Sequence, residues 1–125
     1  MRRWKVVEEG NSLLLHRAGL SPQWSVDVSR TLDWPATPGQ RLRIAHQIRQ
    51  DVWRACQTTR GFVPVVQVST DGHQTVMRAG GSLTTRSGHV SILETRIAAV
   101  LDDGNNRRRW RAYASRTSGR GRGEG

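Results

Sequence analysis

The sequence predicts an α+β fold. A four- to five-stranded antiparallel sheet, made of two hairpins plus one strand, carries two main helices packed on one face, and a short basic helix follows at the C-terminus. Three observations lead there. Stretches with a two-residue repeat flank Gly10-Asn11 and Asp71-Gly72, both tight-turn signals. Between the hairpins, residues 38–60 repeat with helical period. At 125 residues the chain has room for one modest core. Residues 1–115 are therefore expected to form a single domain. Residues 116–125, a Gly/Arg stretch without apolar side chains, are expected to be a disordered tail.

Trp4–Glu8 and Ser12–Arg17 read as the first hairpin. Trp4 and Val6 share one face, and Leu13 and Leu15 share a face opposite to that of Leu14 and His16. Apolar groups on both sides predict that part of this hairpin is covered twice. Trp24, Val26 and Val28 then alternate with Ser25, Asp27 and Ser29, the pattern of a half-buried strand. Thr31–Ala36 is a connection, held extended by Trp34-Pro35.

The central helix is read from Pro38 to about Arg60. Thr37 caps it, Pro38 takes its first position, Gln40 completes a capping box, and Gly61 stops it. At 100° per residue from Arg43, the residues Ile44, Ala45, Ile48, Val52, Ala55 and Cys56 fill an arc of about 120°. This arc faces the core. The lone cysteine lies on it, so a buried thiol is expected; a single cysteine excludes an intrachain disulfide and any cysteine-rich zinc site.

Val63–Ser69 and Gln74–Ala79 make the second hairpin. A loop at Asp71-Gly72 sets Thr70 opposite His73, Val68 opposite Thr75 and Val66 opposite Met77. Pro64 places the start of the first strand at an edge or bulge. Gly80 to Ser87 reads as loop. Ser91 and Glu94 form a capping box for a helix ending at Asp103, with Leu93, Ile97, Val100 and Leu101 as its buried stripe. Asn106 caps the last helix, Arg107 to Ser115.

Net charge is +10, and 19 of the 20 basic residues are arginine. Residues 37–79 hold six basic and two acidic side chains, and residues 105–125 hold seven and one. Two segments are candidate nucleic-acid contacts. Arg43, Gln47, Gln50, Arg54 and Gln57 step by four, three, four and three along one helix face, with Asp51 the acidic residue beside them. Arginine forks onto guanine edges, glutamine onto adenine edges, and either reaches phosphate. Arg107, Arg108, Arg109, Trp110 and Arg111 interleave charge with an aromatic ring, which suits phosphate contact with base stacking. Trp110 also suits a role as the anchor of its short helix, and Trp53 sits at the margin of the apolar arc.

Catalytic patterns are absent from the sequence. No histidine pair has metal-ligand spacing on a helix, no His-Glu-x-x-His occurs, and no glycine loop with a trailing lysine precedes a helix. The adjacent Glu8 and Glu9 point to opposite faces of a strand. An Asp27-oriented His16 is conceivable if their strands are neighbours. The leading expectation is a small non-catalytic nucleic-acid-binding protein, without metal or cofactor, acting on DNA or RNA. The alternative is a protein-interaction module docking on an acidic surface, since tryptophan and arginine commonly anchor interfaces. A third reading is a small basic ribonuclease using His16, His46 or His73. No apolar run approaches a membrane span, and no signal-peptide pattern is present, so a cytoplasmic protein without a membrane partner is expected.

Overall fold

The computed structural model describes residues 3–84 and 88–116. The tail read at 117–125 and the part of the loop at 85–87 lie outside the described residues. Five strands and three helices follow in the order β1 (Trp4–Glu9), β2 (Ser12–Arg17), β3 (Val26–Leu32), α1 (Pro38–Cys56), β4 (Phe62–Asp71), β5 (Gln74–Leu83), α2 (Gly88–Asp102) and α3 (Gly104–Ala114). The strands form one antiparallel sheet in the order β1-β2-β4-β5-β3. The two hairpins thus lie side by side, and β3 closes the far edge.

Alternation along the strands assigns each face. Leu13, Leu15, Val66, Val68, Met77, Ala79, Val26, Val28 and Leu32 point to the helix side and are buried. Ile44, Ala45, Ile48, Val52 and Cys56 of α1 pack on them with Leu93, Ile97 and Leu101 of α2. The third helix rests on α1 and α2 rather than on the sheet. Residues 18–25 link β2 to the opposite edge by crossing the helix-free face. There Trp24 lies under the Arg78 guanidinium, 3.9 Å from ring centroid to Cζ. His16, buried on this face without helices, lines a cleft together with Gly19, Leu20, Ser21 and Pro22 of the crossing.

Helix α1 begins as its sequence dictates. Thr37 Oγ1 accepts from the Gln40 N–H at 3.3 Å, and Gln40 Oε1 accepts from the Thr37 N–H at 2.9 Å. It ends at Cys56 with Gln57 as C-cap, one turn short of the expected Arg60; Gly61 (φ 77°) turns the chain into β4 instead.

Further boundaries and one register differ from expectation. The second hairpin turns at Gly72-His73, with Asp71 opposite Gln74, Val68 opposite Met77 and Val66 opposite Ala79. Among the described residues only glycines have positive φ, and Gly72 has 62°, so glycine opens the turn rather than closing it. The slip conserves which side chains share a face. Strand β5 continues to Leu83 through the glycines read as loop. A Cβ at Gly80 would lie 1.8 Å from the Val26 carbonyl oxygen, and one at Gly81 1.9 Å from that of Val63. The missing side chains let β5 approach both neighbours.

Helix α2 is already formed at Gly88, so Ser91 and Glu94 are not its capping box. Glu94 Oε2 instead accepts from the Asp27 N–H on β3. Helix α3 starts at Gly104, capped by Asp103, whose Oδ1 accepts from the Asn106 N–H at 2.9 Å. An aspartate misplaced for the end of one helix dipole is well placed for the start of the next.

Candidate nucleic-acid interface

The polar face of α1 is split lengthwise by α3. Asp51 is at the centre of the split and is buried. Its Oδ2 accepts from Trp110 Nε1 at 2.7 Å and from Arg109 Nη2 at 2.8 Å, while Oδ1 accepts from Arg54 Nη1 at 3.3 Å. Arg109 also donates to Gln47 Oε1 at 2.7 Å. Arg43 donates to the carbonyls of Ala114 and Arg116. So Arg43 and Gln47, read as an open contact face, hold α3 in place.

The basic helix is likewise turned inward. Trp110 is fully buried and offers no ring face to a base, which corrects its place among the stacking candidates. Its size and its buried acceptor make it the anchor of α3. Arg107 donates to the carbonyls of Leu101 at 2.6 Å and Thr31 at 3.1 Å, and lies 3.7 Å from Asp102. Arg111 covers the Trp34 ring at 5.0 Å. Arg108 bonds Asn105 within its own helix and remains exposed.

What stays open lies at the C-terminal end of α1. Gln50, Trp53, Arg54 and Gln57 follow at i, i+3, i+4 and i+7 and are all exposed. Trp53 is 50 % exposed, and no arginine of the described residues covers its ring, unlike those of Trp4, Trp24 and Trp34. Just beyond is a cleft of about 400 Å³ lined by Thr58, Thr59, Arg60, His89, Ile92 and Arg96. Two arginines, a histidine and two threonines are among these lining residues, and no carboxylate is. Such a donor set suits a phosphate. The cleft has a clear local origin: Gly61 ends the turn carrying Thr58–Arg60, and His89, Ile92 and Arg96 are one face of α2. Sequence reasoning missed it because a helix starting at Ser91 leaves His89 in a loop, and Arg60 is distant in the chain.

The four histidines lie on β2, on α1, at the second hairpin turn and on α2. β2 and β3 are separated by β4 and β5, so His16 and Asp27 are not neighbours. Asp27 is bound by Arg78 through two bonds of 2.9 and 2.7 Å, and these hold its carboxyl below the usual carboxylate range. His16 Nδ1 lies 3.0 Å from the Arg17 carbonyl. His46 is on α1, where burial and the Arg49 charge depress its pKa, and His73 is at the tip of the second hairpin. Burial raises the Cys56 thiol to about 11, so it is no nucleophile at neutral pH. Among the described residues, no three His, Cys, Asp or Glu side chains are placed to hold a metal ion, and no helix is long and apolar enough to cross a membrane. Comparisons with protein-family models, curated proteins and solved structures find no match to this chain.

Proposed function

We propose that this chain is a small, non-catalytic nucleic-acid-binding protein whose contact surface is the end of α1 and the adjoining cleft. The observation that carries this reading is the strip Gln50, Trp53, Arg54 and Gln57 running into a cleft with Arg60, His89 and Arg96 and no lining carboxylate. In this reading the cleft takes a backbone phosphate, and Trp53 stacks a base beside it. The net charge of +10 supplies the long-range attraction. An exposed base-stacking tryptophan favours a single strand over a duplex, whose bases already stack on each other. A lone buried thiol suits the reducing cytoplasm, where we place the protein.

The test is a salt titration of binding to labelled single- and double-stranded DNA and RNA. Arg60→Ala and Arg96→Ala should each lower the slope of log affinity against log salt by about 0.7 to 0.9, the weight of one neutralised phosphate. Trp53→Ala should cost about 1–3 kcal/mol on a single strand. Absence of binding to every probe at low salt would overturn the reading. Leu42 and Trp53, both exposed on one flank of α1, would then favour an acidic protein partner.

A further inference from the structure

The two edges of the sheet are treated differently. At β3 three of the outward backbone groups are occupied by side chains. Glu94 accepts from the Asp27 N–H at 3.1 Å, Arg30 donates to the Ser29 carbonyl at 2.8 Å, and Arg107 donates to the Thr31 carbonyl at 3.1 Å. No strand can add there without breaking those bonds. At β1 the phase is set by the bond from the Ala18 N–H to the Arg3 carbonyl at 2.8 Å and by the two-residue turn after Glu9. Odd-numbered residues bond β2, so Trp4, Val6 and Glu8 direct their N–H and C=O groups outward. Among the described residues no side chain bonds those groups. An open edge of this kind is a template for another strand.

The strand itself indicates what that other strand is. Arg3-Trp4-Lys5-Val6-Val7-Glu8-Glu9 is basic at its start, apolar in its middle and acidic at its end. Antiparallel pairing with an identical strand sets each basic end against an acidic end. A twofold axis normal to the sheet keeps both helix layers on the same side and demands that outward residues meet outward residues. Centring the axis on Val6 satisfies this: Val6 meets Val6, Trp4 meets Glu8 and Arg3 meets Glu9 across the two copies. Val6 is 37 % exposed, beside a Trp4 ring that lies under Arg49 of α1, so the meeting point is accessible and apolar.

We infer that the chain self-associates through β1, joining two five-stranded sheets into one continuous sheet across a twofold axis. Two charges of +10 repel at long range, so added salt strengthens this association while it weakens nucleic-acid binding. The opposite salt responses keep the two readings separable.

Sedimentation velocity of the full chain, over a concentration series at low and at 0.5 M salt (a Debye length of about 4 Å there), tests the inference. A dimer that grows with concentration and salt is expected. Val6→Pro removes an outward N–H without touching the ladder to β2, and should leave a folded monomer. Charge exchange provides a check that does not depend on that variant. Glu9→Arg and Arg3→Glu should each weaken self-association at least tenfold, and mixing the two variants should restore a dimer of one copy each. A monomer at every concentration and salt, or a dimer indifferent to the β1 variants, would overturn the inference.

Discussion

Removing the Asp51 carboxylate should loosen the whole C-terminal helix, and the size of the effect follows from which groups are left without a partner. In Asp51→Ala the Trp110 N–H, fully buried, has no acceptor, at a cost of about 1–3 kcal/mol. The Arg109 and Arg54 side chains are 45 % and 67 % exposed and regain water, so each adds only about 0–1 kcal/mol. The expected loss is about 1–5 kcal/mol, read from urea unfolding followed by circular dichroism at 222 nm. Asp51→Asn keeps an acceptor for Trp110 and should cost about 1 kcal/mol, the neutralised ion pairs alone. In a Trp110→Phe background the orphaned donor no longer exists, so Asp51→Ala should fall to the cost of its exposed arginines. The double-mutant cycle should therefore return a coupling of about 1–3 kcal/mol. A coupling under about 0.5 kcal/mol, or equal costs for Asn and Ala, would refute the assignment of Asp51 as the acceptor on which α3 docks.

Three further outcomes follow from the geometry. Gly81→Ala and Gly80→Ala each drive a Cβ to within 2 Å of a neighbouring carbonyl oxygen and should abolish the folded state in solubility and dichroism, whereas Gly39→Ala, with open space around it, should raise stability by about 0.5–1 kcal/mol. His46 has a depressed pKa, so its contribution is complete above the ordinary histidine value of about 6.5 and is lost as the pH falls below it; the urea midpoint should drop between pH 7.5 and 5.5, and His46→Gln should flatten that drop. Cys56, with its thiol raised to about 11 and its side chain buried, should react with a thiol reagent at pH 8 only as fast as the protein opens; labelling of the native protein within seconds would contradict this.

Much of the fold was legible because local chemistry and the final structure agree. Thr37, Pro38 and Gln40 fix the start of α1 with groups no more than three residues apart, and Gly10-Asn11 fixes the first turn in the same way. The errors arose where a local signal was used by a distant partner. Glu94 looks like the second half of a capping box but binds the edge of β3. Asp103 reads as the end of one helix but caps the start of α3. Gly80 and Gly81 look like loop because glycine is common there, and only the carbonyls of Val26 and Val63, from two other strands, show why no side chain fits. The slip in the second hairpin is the mildest of these, because a displacement by two residues leaves every side chain on its face.

The candidate site was harder to read, for an electrostatic reason. A charge count weights every arginine equally, while the folded chain does not. Asp51 draws in Arg54 and Arg109, Asp102 draws in Arg30 and Arg107, and Asp27 takes Arg78. The rings of Trp4, Trp24 and Trp34 lie under Arg49, Arg78 and Arg111. These arginines are densest where acidic and aromatic residues are also found, so the most conspicuous basic run, Arg107–Arg111, is the one most used to dock a helix. Arg60 and Arg96 come from sparsely charged parts of the chain, and the residues that share their cleft include no carboxylate to claim them. A site for an anion is expected where cations converge without internal partners, and in this fold that convergence is made by the end of α1 meeting the start of α2.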